Sequence, residues 1–272
     1  SLNGVKTTAV GGMIGSLTDN SIFLLNITNS TNNCTIFSHD IRTVGGLIGS
    51  CINNKDIIEN ATLIFTNNKN FGNVTCQNCS STGGFIGNMF NINFVTIKDC
   101  VNYGHINVNG TSKDVGGFIG SFSNGMNIIT TSSMKIQNGI NYGTIIVSSS
   151  NVGGFVGSFS ENVNVIVNLI QCTNNAYEYS SSLDDDCTIG GIVGSVSNNG
   201  NITVNMKQCL NNAQVVSSTR KDNNAGGILG VFNGNSKSGF NVFKCNNNGS
   251  INVSGEINYV GGLIGSVSAN PI

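Results

Sequence analysis

The chain has 272 residues and a formal net charge of −1, with 12 Lys plus Arg against 13 Asp plus Glu. Only 9% of its residues are charged and no basic stripe is present, which argues against a nucleic-acid partner, and no apolar run approaches the roughly 18 residues that would predict membrane insertion. Asn (47 residues) and Gly (36) are abundant and both are poor helix formers, which argues against a helical fold. The hydrophobic content of 39% argues against disorder.

A five-residue block, Gly-Gly followed by two apolar residues and a third Gly, recurs eight times along the chain. The copies begin at Gly11, Gly45, Gly83, Gly116, Gly153, Gly190, Gly226 and Gly261. The first glycines are 33 to 38 residues apart. A repeat of this length predicts a single repeat array over residues 1–272.

A second repeated feature precedes every glycine block after the first, and it consists of an Asn followed two positions later by a small residue. The Asn column comprises Asn32, Asn70, Asn102, Asn141, Asn174, Asn211 and Asn247. Two positions beyond the small residue an aliphatic residue follows in six of the seven copies, and the exception is Glu178. We expect each Asn amide to hydrogen-bond to the Asn above and below it, and Asn also tolerates left-handed backbone angles.

Short apolar segments lie between the glycine blocks and the members of the Asn column. Side chains alternate as in strands just after the small residue, for example at Ile106 and Val108. A further apolar segment follows each glycine block except the last, at 22–27, 57–65, 92–97, 126–129, 163–167, 202–206 and 240–243. The sequence therefore predicts about three short strands in each repeat of roughly 36 residues.

One repeat cannot bury its own apolar residues, but stacked repeats can, because each strand pairs with its equivalent in the next repeat at about 4.8 Å. We therefore predict an all-β fold, a parallel β-solenoid (β-helix) of about eight rungs in which like side chains form columns. The double glycines would then permit a positive φ or a close approach of two backbones. A propeller or a sandwich of hairpins is the alternative, but a propeller blade needs four strands and about 40 residues.

The sequence leaves open how the two apolar residues inside each glycine block are both buried. Adjacent residues of a strand point to opposite faces, so Phe118 and its equivalents would lie on one face and Ile119 and its equivalents on the other. We favour a coil thick enough to bury both faces. The alternative is that one face forms a lateral contact stripe with another molecule.

The chain contains nine Cys residues, and four of them share one column, namely Cys100, Cys172, Cys209 and Cys245. Neighbouring rungs bring equivalent Cα atoms to about 4.8 Å, which permits either a Cys172–Cys209 or a Cys209–Cys245 disulfide, while stacked buried thiols are the alternative. Cys76 and Cys79 have CxxC spacing but lack a second CxxC and a nearby His. We expect a loop disulfide between Cys34 and either Cys76 or Cys79 rather than a metal site.

The glycosylation signal Asn-x-Ser/Thr occurs about as often as chance predicts for this composition. The sites are Asn26, Asn29, Asn33, Asn60, Asn73, Asn78, Asn109, Asn201, Asn248 and Asn252. Their number is therefore no evidence for glycans, although a secreted eukaryotic version of this chain would carry them.

The residues needed for catalysis or for a cofactor do not cluster in the sequence, so we expect neither an enzyme nor a cofactor or metal site. The acidic run Asp184-Asp185-Asp186 is expected to be a solvated loop tip, because a Ca²⁺ site needs carboxylates that converge from several positions. His39 and His105 lie in different repeats without a Ser or Cys partner. The glycine block lacks the Lys-Ser/Thr ending of a phosphate-binding loop.

Two of the glycine blocks, Gly46-Leu47-Ile48-Gly49 and Gly262-Leu263-Ile264-Gly265, resemble the GLUG motif. That repeat family occurs in large extracellular, adhesin-like surface proteins, so the resemblance implies an extracellular or cell-surface location. The other six copies place Met, Phe or Ile where the motif has Leu. The family supplies no catalytic residues.

These observations predict a non-enzymatic structural protein that forms part of an extracellular β-solenoid fibre or an adhesin stalk. The chain begins and ends within a repeat, so its expected partners are further repeats of a longer parent chain or copies of itself, stacked end to end or laterally into a fibre. The alternative function is that of a carbohydrate- or surface-binding solenoid, with surface glycans as ligands and the loops 75–81 and 178–187 as contacts. A polysaccharide-acting enzyme is a remote third reading.

Overall fold

The computed structural model of the chain is a coil of short strands. It describes residues 8–19, 23–53, 61–125, 131–162, 164–181, 186–197, 200–219, 223–235, 237–256 and 258–270. These residues contain 35 strands and no helix, and every pairing between the described strands is parallel. The predicted all-β parallel β-solenoid is confirmed.

The strands form four sheets that run along the coil. The glycine sheet contains the strand that follows each double glycine: β2 (Ile14–Asp19), β7 (Ile48–Asn53), β12 (Ile86–Phe90), β16 (Ile119–Ser123), β20 (Val156–Ser160), β25 (Val193–Ser197), β30 (Leu229–Asn235) and β35 (Ile264–Asn270). The aliphatic sheet comes next along the chain: β3 (Leu24–Thr28), β8 (Thr62–Thr66), β13 (Phe94–Lys98), β17 (Ser132–Gln137), β21 (Val165–Ile170), β26 (Ile202–Lys207) and β31 (Gly239–Phe243).

The other two sheets complete each turn. The asparagine sheet consists of two-residue strands: β4 (Thr31–Asn32), β9 (Lys69–Asn70), β14 (Val101–Asn102), β18 (Ile140–Asn141), β22 (Thr173–Asn174), β27 (Leu210–Asn211) and β32 (Asn246–Asn247). The thirteen-stranded sheet contains β1 (Ala9–Gly11), β5 (Ile36–His39), β6 (Thr43–Gly45), β10 (Val74–Gln77), β11 (Ser81–Gly83), β15 (Ile106–Gly116), β19 (Ile145–Gly153), β23 (Glu178–Ser180), β24 (Cys187–Gly190), β28 (Val215–Ser218), β29 (Asn223–Gly226), β33 (Ile251–Ser254) and β34 (Asn258–Gly261).

A full turn therefore holds more strands than the three predicted. The turn from β7 to β11 contains five strands, because each Asn of the column pairs in its own two-residue strand and another short strand enters the next glycine block. Such brief strands leave no detectable alternation in the sequence. The segment predicted at 126–129 lies outside the described residues, and the aliphatic strand of that rung is β17, at Ser132–Gln137.

Each glycine block forms a corner of the coil. Phe85 N and Ile86 N both donate to Phe118 O, at 2.9 and 2.8 Å, which two successive residues of a regular strand cannot do. The bend turns both side chains inward, so that Phe118 and Ile119 are both fully buried. The alternation assumed from the sequence was wrong here, and the two residues share one core instead of forming a lateral contact stripe.

The interior consists of two cores. The larger core lies between the glycine and aliphatic sheets and includes a column of stacked rings, Phe85, Phe118 and Phe155. The smaller core lies within the thirteen-stranded sheet, around Val115 and Ile145. The chain passes from one core to the other at the double glycines and again at the Asn column, so these two features separate the cores.

The left-handed residues form a different column from the one expected. The Asn column lies in strands. Of the twelve described non-glycine residues with a positive φ, seven directly follow the strands of the aliphatic sheet and form a column of their own: Asn29, Asn67, Asp99, Asn138, Gln171, Gln208 and Lys244 (φ 52–55°). Asn and Asp tolerate this conformation well, which explains four of the seven positions. Among the described glycines, Gly110 alone has a φ in the left-handed range.

Candidate functional site

The Asn column is a continuous hydrogen-bonded ladder along the interior. Each Nδ2 donates to Oδ1 of the Asn one rung further on, from Asn32 through to Asn247, at 2.8–3.1 Å. The members from Asn70 to Asn211 are fully buried. All six bonds point the same way, which gives the ladder a direction from the first described rung towards the last.

The double glycines make room for this ladder. A Cβ placed on Gly84 would lie 2.7 Å from Asn102 Nδ2, and the carbonyl oxygen of Gly117 would be closer still. The same arrangement recurs at the second glycine of the other blocks up to Gly227, whereas a Cβ on Gly262 would meet nothing within 4 Å. Close approach, and not a positive φ, is therefore what requires glycine at this position.

Glu178 is a buried carboxyl group in an aliphatic column. It pairs in register with Ile145 and Val215 in the adjacent rungs, and it is fully buried. Its Oε1 accepts a hydrogen bond from Asn174 Nδ2, whereas Oε2 has no hydrogen-bond partner. Burial raises the pKa of Glu178 to about 8, so the group is largely protonated at neutral pH.

The four cysteines that share one column form no disulfide with one another. Cys172, Cys209 and Cys245 occupy consecutive rungs, and all three are free and buried, as is Cys100. Contact with the Cys172 thiol and burial raise the pKa of Cys209 to about 12. The structure therefore has stacked thiols where the sequence also permitted a disulfide, and protonated thiols are poor nucleophiles.

The disulfide that the structure does contain joins Cys76 to Cys79, with Cα atoms 6.2 Å apart. Cys34, the partner suggested by the sequence, is an exposed free thiol. It occupies the small-residue position of its rung, at the corner after the Asn column, whereas Cys76 is an inward-facing member of β10. That difference in position explains why the two do not pair.

The glycosylation signals lie mostly on the surface. Seven of their Asn residues are exposed: Asn26, Asn29, Asn33, Asn73, Asn109, Asn248 and Asn252. Asn78 and Asn201 are half-buried, and Asn60 lies outside the described residues. Both half-buried residues also donate side-chain hydrogen bonds, Asn78 to Asp40 and Asn201 to Asn164.

The titratable residues singled out in the sequence do not converge. Asp184 and Asp185 lie outside the described residues, as does part of the loop 178–187. His39 Nδ1 lies 2.7 Å from Asp40 Oδ2, and both side chains are exposed. His105 Nδ1 accepts a hydrogen bond from the backbone N–H of Thr144 at 3.1 Å. Within the described ranges, no three His, Cys, Asp or Glu side chains could hold a metal ion together.

A shallow groove of about 370 Å³ lies on the outer side of β5 and β10. It is lined by Phe37, Ser38, His39, Thr75, Cys76, Gln77 and Asn109. The Phe37 side chain is 79% exposed. The first part of the loop 75–81, proposed from the sequence as a contact, therefore lines this groove.

A stack of exposed aromatic rings escaped the sequence reasoning. Phe71, Tyr103 and Tyr142 lie in consecutive rungs, with ring centroids 4.7 and 5.2 Å apart and planes within 7° of parallel. Each follows a member of the Asn column directly. That constant offset was visible in the sequence and could have predicted the stack.

The fold and its columns define a β-solenoid repeat protein. No protein-family model, curated protein or solved structure matches the chain. None of the described segments forms a helix with the length and apolarity needed to cross a membrane.

Proposed function

We propose that this chain is a structural rod of the cell surface or extracellular space, which spans distance and presents a repeated surface. The observation that carries the proposal is the unbroken Asn ladder, which links every rung from Asn32 to Asn247. A buried polar column of this kind stabilises only one register between rungs, because a slipped register would leave amides unpaired. A rod with one fixed register suits a fibre or a stalk.

The extracellular part of the proposal rests on three features. Two of the eight glycine blocks resemble the GLUG motif of adhesin-like surface proteins. Disulfides such as Cys76–Cys79 persist mainly in oxidising compartments. Most Asn residues of the glycosylation signals are exposed, as glycan attachment requires.

The last described rung presents a surface suited to another rung. Val267 is 62% exposed, whereas Phe232 and Val196, its equivalents in the two preceding rungs, are 5% and 0% exposed. A head-to-tail contact that seats β2 of a second copy on β35 would cover Val267 with Leu17 of that copy, because Leu17 and Val267 belong to one column of the glycine sheet.

The test is electron microscopy and sedimentation of the purified chain beside its Gly262→Ala variant. We expect the wild type to form rods that lengthen with concentration. The added Cβ is unopposed within one copy, but it would meet the carbonyl oxygen of Gly12 in the next copy, as a Cβ on Gly227 would meet Gly262 O, so the variant should fold normally and remain short. Discrete wild-type monomers at every concentration, or rods unaffected by Gly262→Ala, would overturn the proposal.

A second candidate function, carbohydrate binding, is favoured by the groove on β5 and β10. An open Phe ring beside hydroxyl and amide side chains offers both a stacking platform and hydrogen bonds to a neutral sugar. If the groove binds glycans, Gln77→Ala should lower binding on a glycan array, whereas Asn205→Ala, on the aliphatic sheet, should leave it unchanged. Equal binding by both variants and the wild type would exclude this groove as the contact.

A further inference from the structure

The outer aromatic stack brings two tyrosines face to face. The ring centroids of Tyr103 and Tyr142 are 5.2 Å apart and their planes differ by 7°. Their side chains are 38% and 45% exposed. Each ring covers one face of the other, and with more than a third of each side chain exposed the pair is accessible to an oxidant from solvent.

Backbone hydrogen bonds hold the two tyrosines in this arrangement. Tyr103 N donates to Asn70 O at 2.7 Å, and Tyr142 N donates to Asn102 O at 2.8 Å, so each tyrosine is anchored to the rung that precedes its own. The Asn102 and Asn141 side chains immediately before them are linked within the ladder at 2.9 Å. Two reacting groups held in this way behave as if at very high local concentration.

We propose that Tyr103 and Tyr142 form a site of oxidative cross-linking, at which a peroxide-dependent peroxidase converts the pair into dityrosine. Each phenol loses one electron and one proton to give a phenoxyl radical. The two radicals join through a carbon–carbon bond between ortho carbons, and the two protons on those carbons then move to the phenolic oxygens. The pair loses two hydrogen atoms in all, which reduce one hydrogen peroxide to two waters.

The site is selective for this pair. Phe71 continues the stack on the side of Tyr103, but it has no phenol and so cannot form the radical. The other three tyrosines of the chain, Tyr177, Tyr179 and Tyr259, make no ring–ring contact with a described aromatic residue. A cross-link at Tyr103 and Tyr142 would join two successive turns of the coil covalently and should raise the melting temperature of the rod.

The test is treatment of the full chain, at a concentration at which it is monomeric, with a haem peroxidase and hydrogen peroxide. We expect the intact mass to fall by two hydrogens and one cross-linked peptide pair to join Tyr103 to Tyr142. The Tyr142→Phe variant should lose this product, and it should fold because Phe71 already occupies the same column. Tyr177→Phe, which alters a tyrosine with similar exposure (38%), should leave the yield unchanged.

Three outcomes would overturn the inference. They are cross-links spread over all tyrosines, exclusively intermolecular products, and a yield that Tyr142→Phe does not lower while circular dichroism shows the variant folded. The inference does not depend on rod assembly, since the reaction is measured on monomers. Failure of the coupling would therefore leave the structural proposal untouched.

Discussion

Replacing Gly84 by Ala will destabilise the solenoid more than any conservative surface change, by about 3–5 kcal/mol in the free energy of unfolding. The new Cβ would lie 2.7 Å from Asn102 Nδ2 and closer to Gly117 O. Gly117 O belongs to the backbone and Asn102 Nδ2 belongs to the ladder. The clash can therefore be relieved only by a shift between rungs or by breaking an Asn102 hydrogen bond. Chemical denaturation monitored by circular dichroism measures the loss.

The control is the same substitution at the same position of the last described rung. A Cβ on Gly262 meets nothing within 4 Å, so Gly262→Ala should unfold at nearly the wild-type denaturant concentration when both proteins are kept dilute enough not to assemble. If Gly84→Ala and Gly262→Ala were equally stable, the close approach between rungs would not exist.

Replacing Glu178 by Gln will stabilise the protein at neutral pH, by about 3 kcal/mol at pH 7. The pKa of Glu178 is raised by burial from 4.5 to about 8 in the folded state, while in the unfolded chain it returns to its ordinary value. Between those two values the folded protein binds a proton that the unfolded chain has released. The stability that Glu178 contributes is therefore complete below about pH 4.5, falls as pH rises, and is lost above about pH 8.

The difference between the two proteins isolates this carboxyl group. Burial also raises the pKa of Asp114, which gives the wild type and Glu178→Gln a shared pH dependence of the same sign. The stability gap between them should be small at pH 4 and should grow towards about 5 kcal/mol near pH 8. A gap that stays constant across this range would show that Glu178 is not buried and protonated.

A related variant tests whether the carboxyl group is needed at all. Three acceptors surround the two hydrogens of Asn174 Nδ2, namely Glu178 Oε1, Gly191 O at 2.7 Å and Asn211 Oδ1 at 3.1 Å. Both hydrogens therefore keep an acceptor when Glu178 is removed. Ile occupies this column at Ile36, Ile106 and Ile145. For this reason Glu178→Ile should be at least as stable as Glu178→Gln.

The architecture could be predicted from the sequence because a solenoid repeats its signal in every rung. The column of Asn102 and Asn141 was visible because an Asn followed two positions later by a small residue recurs ahead of the double glycines, and the structure places those residues in one ladder. The same argument identified Glu178 as the exception in an aliphatic column. Only the structure shows that this side chain is buried and that its Oε2 has no hydrogen-bond partner.

What the sequence could not provide lies at the corners of the coil. Alternation rules assume a continuous strand, and they failed at Phe118 and Ile119 because the backbone bends between the double glycine and the following strand. The division of the interior into two cores could not be predicted from the sequence either, because it depends on how sharply the backbone turns at each corner. Disulfide choice failed for a similar reason, because the orientation of Cys34 at its corner cannot be deduced from spacing.

The central claim, that like residues stack once per turn, can be measured directly with pairs of spin labels in one column. Thr75, Val216 and Asn252 belong to an outward-facing column of the thirteen-stranded sheet. In-register pairings place Val216 four rungs and Asn252 five rungs from Thr75. With Cys34→Ser as background, labels at Thr75 and Val216 should lie about 19 Å apart, and labels at Thr75 and Asn252 about 24 Å apart. A distance that grows by about 5 Å per rung supports the stack, whereas distances that do not increase with rung number would contradict it.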